Sequence, residues 1–115
     1  RGTNLFKNIQ REIFEETKVF PKEERYSLID QIRRSSRSVV TNIAEGFRKR
    51  RYPNVFVNKL TDADGESAET QTWLDFAHDC RYLKHDRHQQ LMGGYEQIGK
   101  MLGGMIAHPE RFKPS

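Results

Sequence analysis

Seven cations in the first half of the chain have the type and spacing to meet phosphate. Arg33, Arg34 and Arg37 stand close together, and Arg48, Lys49, Arg50 and Arg51 form an unbroken run. The planar guanidinium fork matches phosphate oxygens, and a line of arginines along a helix can follow a nucleic-acid backbone. At about 100° per residue, Arg33, Arg37, Arg48 and Arg51 fall within about 60° of one another, with Arg34 further around. The same cations have a structural use. A downstream segment offers Asp62, Asp64, Glu66, Glu69, Asp75 and Asp79 as ion-pair partners. A basic run can also serve only to keep a surface solvated.

Other polar groups read as packing rather than catalysis. Ser35, Ser36, Ser38, Thr41 and Asn42 follow one another closely. A serine nucleophile needs a neighbouring base and an oxyanion site, and this segment holds no histidine. Hydroxyls bonded back to their own helix are the expectation. Glu45-Gly46-Phe47 reads as a packing or helix-end element, and Glu69-Thr70-Gln71 as a buried or intersubunit hydrogen-bond network. Of the four histidines, His85 and His88 are three apart, with Cys80 and Asp86 nearby. Zinc needs three or four converging ligands, and this spacing fits no standard site. The histidines read as exposed polar residues. No P-loop or dinucleotide motif is present. The expectation is no enzyme, no metal and no cofactor.

The cations are unevenly placed. Residues 1–52 hold 13 Lys and Arg against 7 Asp and Glu, whereas residues 53–115 hold 7 against 9. A chain of 115 residues is the length of one domain. No stretch approaches the roughly 20 apolar residues of a membrane-spanning helix, so no membrane role is expected. The single cysteine, Cys80, excludes an internal disulfide framework, and a cytoplasmic location is the default.

Four helical segments must position these groups, punctuated by Pro21, Pro53 and Pro109. The spacing predicts helices over about 3–19, 22–51, 54–83 and 86–107, then a short C-terminal tail. Leu5, Phe6, Ile9, Ile13 and Phe14 make the first stripe. Leu28, Ile32, Val39, Ile43 and Phe47 make the second, widened by Ile29 and Val40. The third carries two seams. Phe56, Leu60, Ala63, Ser67, Leu74 and Ala77 form one, and Trp73, Phe76, Cys80 and Leu83 the other. Leu91, Tyr95, Ile98, Leu102 and Met105 line the fourth. Gly65, Gly94, Gly99 and Gly103 weaken the last two helices, so close contacts are expected there. The fold class expected is all-α, an antiparallel up-down four-helix bundle. Middle helices of about 45 Å would outreach outer ones of about 25–30 Å and leave apolar surface for another subunit.

Three blocks also carry a family resemblance. FPKEERYSLIDQIRRSSRSVVTNIAEGF, from Phe20 to Phe47, resembles the signature of the four-helix bundle proteins first noticed as reading frames in 23S ribosomal RNA intervening sequences. KLTDADGESAETQTWLDFA, from Lys59 to Ala77, is similar to that family's third helix. IGKMLGGMI from Ile98, followed by HPERF, is similar to its end. After Cys80 the family's frequent Gly-Tyr turn is replaced by Arg81-Tyr82-Leu83. The resemblance implies a left-handed bundle assembling as a ring-like homopentamer. It also brings in a relative, the accessory variability determinant of diversity-generating retroelements, which is a pentameric basic barrel that binds nucleic acid and a reverse transcriptase.

The function expected is a non-enzymatic, oligomeric accessory protein that binds structured RNA, or an RNA/DNA backbone, in the cytoplasm. Arg33, Arg34, Arg37, Arg48, Lys49, Arg50 and Arg51 would contact phosphates, with a reverse transcriptase as a further partner. Base readout is not expected, because no exposed aromatic platform is visible. Tyr52 could stack on a base, although packing at a helix end is the simpler role. The alternative is a protein-interaction scaffold whose arginines serve subunit contacts.

Overall fold

Apolar side chains recurring every three or four residues can share one interior only if each segment coils into a helix. The computed structural model describes the backbone of residues 3–115 and the side chains of residues 5–115. It holds four α-helices: α1 (Thr3–Thr17), α2 (Leu28–Arg48), α3 (Pro53–Asp79) and α4 (His85–Ala107). Short 3-10 turns cover Lys22–Glu24 and Pro109–Phe112, and no strand occurs among the described residues. The molecule is a rod of 49 × 25 × 21 Å.

One continuous core joins the helices. Phe6 and Ile13 of α1, Ile32 and Ile43 of α2, Phe56 and Leu60 of α3, and Ile98 and Leu102 of α4 are buried in it. Each such side chain contributes about 1.5–3 kcal/mol relative to leaving it in water. Polar pairs fix how neighbours meet. Between α2 and α3, Lys59 pairs with Glu45 at 2.8 Å, and the buried hydroxyls of Thr70 and Ser35 lie 2.8 Å apart. Between α1 and α4, Arg87 reaches Glu16 at 2.6 Å and Glu12 at 3.1 Å.

The helix ends depart from the expected ones for identifiable reasons. No buried side chain lies between Phe20 and Leu28, so nothing holds residues 22–27 in a helix. Ser27 has φ −128° and ψ −98°, and α2 begins only after it. Its hydroxyl bonds the Glu24 carboxylate at 2.6 Å rather than capping the helix. At its other end α2 stops at Arg48, so Arg51 lies in the connection to α3 and not on the helical face assigned to it. Pro53 opens α3, where its missing N–H costs nothing.

α3 ends at Asp79 rather than near residue 83. Arg81, at φ 65°, turns the chain. Arg81 N–H bonds the His78 carbonyl and Tyr82 N–H bonds the Ala77 carbonyl, the pair of bonds that closes a Schellman ending. With 21 and 27 residues, α2 and α3 are about 31 and 40 Å long, so no middle pair outreaches the others. The unpartnered apolar surface lies instead on a flank. There Phe76 is 51% exposed and Tyr26 84% exposed, beside half-buried Trp73.

The glycine expectations divide. Gly46 is buried where α2 meets α3, and a Cβ there would stand 3.2 Å from Lys59 Cβ. Gly94 faces Ile9 of α1, whose side-chain end occupies the space a Cβ would need. Gly65 and Gly103 have nothing within 4 Å, so no close contact explains either.

Candidate nucleic-acid interface

The seven cations separate into two groups with different surroundings. In the middle of α2, Arg33 is half-buried and turned toward α1. Its Nε donates to Thr17 Oγ1 at 2.8 Å, and its guanidinium lies 4.3 Å from the centre of the Phe14 ring. Burial, and then the charge of Arg37, hold it below the ordinary arginine value. Arg34 forms ion pairs with Glu66 and Glu69 of α3. The hydrogen bond to Glu69 is the largest cause raising its pKa. Glu69 also accepts the Trp73 indole N–H at 3.0 Å. Arg34 thus fastens α2 to α3 through two of the carboxylates foreseen as partners, whereas Arg33 holds α2 to α1 through a hydroxyl and a ring rather than a carboxylate. Arg37 is exposed and 5.6 Å from the Phe14 ring centre, with no carboxylate partner among the described residues.

The second group sits where α2 hands over to α3. Arg48, Lys49, Arg50 and Arg51 are all exposed. Arg50 donates to the Phe47 carbonyl at 2.9 Å, and none of the four forms an ion pair among the described residues. Tyr52, expected to pack, is 60% exposed beside them. It precedes Pro53 and has no apolar neighbour to cover it.

Two further cations join this end from the far end of the sequence. The tail folds back because Phe112 packs against Phe47 at 6.1 Å and Phe56 at 5.9 Å between ring centres. Arg111 and Lys113, on either side of it, are exposed and form no ion pair among the described residues. The sequence reading missed them. Their signal was a lone aromatic between two cations after a helix-ending proline.

The small polar residues of α2 behave as expected. Ser36 donates to the Arg33 carbonyl at 3.1 Å, and Asn42 to the Ser38 carbonyl at 2.9 Å. Thr70, at the centre of Glu69-Thr70-Gln71, is buried against Ser35. The histidines are less independent than their spacing suggested. The His78 and His88 rings stack 4.4 Å apart, and His88 Nε2 lies 2.8 Å from Asp75. His78 and His88 are half-buried rather than exposed, because α3 brings His78 and Asp75 onto His88. Among the described residues no three His, Cys, Asp or Glu side chains converge as metal ligands would. Nor is any described helix long and apolar enough to cross a membrane.

The chain matches the family model of the 23S rRNA-intervening sequence protein over residues 4–104, a span that takes in the cations of α2 and the run after it. It belongs to that family. Arg111, Phe112 and Lys113 lie beyond the matched span of the 23S rRNA-intervening sequence protein family. A solved protein with unknown function from the S23 ribosomal protein family of Bacteroides thetaiotaomicron has the same fold, with a TM-score of 0.81 at 25% identity. The likeness covers 90% of this chain and 96% of that one. No curated protein matches the chain.

Proposed function

We propose that this 23S rRNA-intervening sequence family protein is a non-enzymatic nucleic-acid-binding accessory protein that contacts the backbone of structured RNA. One observation carries the reading. At one end of the rod, Arg48, Lys49, Arg50, Arg51, Arg111 and Lys113 are exposed together with no ion pair among the described residues. Exposed cations that no carboxylate holds keep their field for a partner, and a polyanion is the partner that such a cluster attracts most strongly. Arg37 extends the surface along α2. Arg33 and Arg34 line one open depression with it and hold the helix in place.

The chain is an up-down bundle in this reading, and its copies assemble as a ring-like homopentamer. The apolar flank of Tyr26, Trp73 and Phe76 supports an assembly of copies, because it is open in the single chain. A formal charge of +4 per chain is then multiplied by the number of copies. The family's link to intervening sequences of 23S rRNA agrees with structured RNA as the target.

Anisotropy of a labelled structured RNA, titrated at several salt concentrations, tests the proposal. Replacing Arg48, Lys49, Arg50 and Arg51 by Gln is expected to weaken binding more than tenfold. The log–log salt slope should fall by roughly 0.7–0.9 for each phosphate that is no longer neutralised. All four side chains are exposed, so the variant should melt as the parent does. Affinity that stays unchanged overturns the assignment and leaves a protein-interaction scaffold as the reading.

A further inference from the structure

Beside the cationic end lies a groove of about 460 Å³ that is open to solvent along one side. Its walls are the Phe47 and Phe112 rings with the Met101 and Met105 side chains, and Lys100 and Arg111 stand on its rim. Phe47 and Phe112 meet edge to face, at 81° between ring planes, and each is half-buried, so part of this aromatic pair is left to the groove. Met101 is 39% exposed within it. The basic run starts beside the groove, because Arg48 follows Phe47 in the chain and Arg50 donates to the Phe47 carbonyl.

Aromatic rings and thioethers favour a flat, polarisable guest, and the rim asks for negative charge. A flexible hydrocarbon chain would satisfy the walls, but it carries no charge for the cations that line them. We infer that the groove receives the base of an unpaired nucleotide, whose phosphates Lys100 and Arg111 hold. This inference rests on the backbone-binding reading above and adds what the target must contain: a bulge, loop or single-stranded end. Unstacked bases are the feature of RNA that proteins read by stacking. A purely electrostatic surface would bind a paired duplex equally well.

Gly104 provides the test. It lines the groove, and a Cβ built on it meets nothing within 4 Å. Gly104→Leu therefore sets its Cβ in open space and adds apolar bulk to the groove without changing a charge, and it favours the helix. Anisotropy is measured with a paired RNA duplex and with the same duplex carrying a short bulge. The full chain is expected to bind the bulged RNA about tenfold more tightly, the scale of one base stacked on an aromatic side chain. In Gly104→Leu the preference should vanish while the paired duplex binds as before.

Equal affinity of the parent protein for the two RNAs overturns the groove assignment and leaves the phosphate reading standing. Absence of binding to either RNA overturns the phosphate reading, and the groove assignment falls with it. A groove that brightens a dansyl fatty acid without preferring the bulge overturns the assignment in favour of an acyl carboxylate. Dissociation of an oligomer in Gly104→Leu overturns it in favour of a second copy of the chain.

Discussion

Arg81 takes a conformation that its side chain opposes. At φ 65° it lies in the left-handed region, where a Cβ crowds the backbone by roughly 1–2 kcal/mol. It stays there because the two Schellman hydrogen bonds end α3 at that point. Arg81→Gly is therefore expected to stabilise the protein by about 1 kcal/mol, seen in calorimetry as a rise of roughly 4 °C in Tm. A lower Tm would mean that the arginine side chain does something the backbone argument leaves out. The position was legible in part, since Arg81 falls where the family resemblance leads one to look for glycine. The roles of Arg33 and Arg34 were less so. Helical angles put Arg33 on a flank with Arg34 further around, and Glu66 and Glu69 were among six acids on offer. Which acids are met, and that Phe14 and Thr17 take Arg33, follows only once α1 and α3 are packed.

The helices were readable from their stripes, and their ends were not. Periodicity needs a buried side chain every turn, and residues 21–27 and 79–82 supply none, so local backbone geometry decides there. One hydrogen bond ties these two irregular stretches together. Tyr82 donates to Glu24 at 2.8 Å, linking the turn before α2 to the end of α3. Glu24 is held below its ordinary 4.5, first by the Ser27 hydroxyl and then by Tyr82. The bond to Glu24, then burial, push the Tyr82 phenol from 10.0 up to about 12. The lowered carboxylate contributes stability above pH 4.5 that is lost as the pH falls. The raised phenol contributes stability below pH 10.0 that is lost as the pH climbs toward 12. Tyr82→Phe should thus be less stable than the parent by a constant amount between these limits, and the gap should close on both sides. Urea melts from about pH 2 to about pH 12 check this, and a gap that persists at the alkaline limit would remove Glu24 as the partner.

On the scale of the whole rod, the two seams expected of the third helix separate in part: Leu83 of the second seam joins the core, beyond the end of α3, but Phe76 does not. Phe56, Leu60, Leu74 and Ala77 are buried in the chain's own core, whereas Phe76 is half uncovered next to Tyr26 and Trp73. In the proposed assembly of copies through this flank, Phe76→Glu is expected to give a monomer in sedimentation velocity where the parent chain gives an oligomer. RNA affinity should fall with it by at least about tenfold, since linked copies bind as one. An oligomer of undiminished size would place the subunit interface elsewhere. The sequence showed that a second seam existed, but the flank it occupies depends on which helices meet, a three-dimensional outcome. The placement of charge along the rod has a further effect. Arg48, Lys49, Arg50, Arg51, Arg111 and Lys113 crowd one extremity, while at the other Glu12, Glu15, Glu16, Glu23, Glu24, Asp75 and Asp79 stand among Lys18, Lys22, Arg25, Lys84 and Arg87, which offset most of their charge. Over a length of 49 Å this asymmetry gives a single chain a permanent dipole moment directed along its long axis. Any gradient of potential around a polyanion then exerts a torque on the chain, and within the roughly 10 Å reach of such fields at 0.1 M salt the rod swings its cationic extremity forward before the surfaces touch.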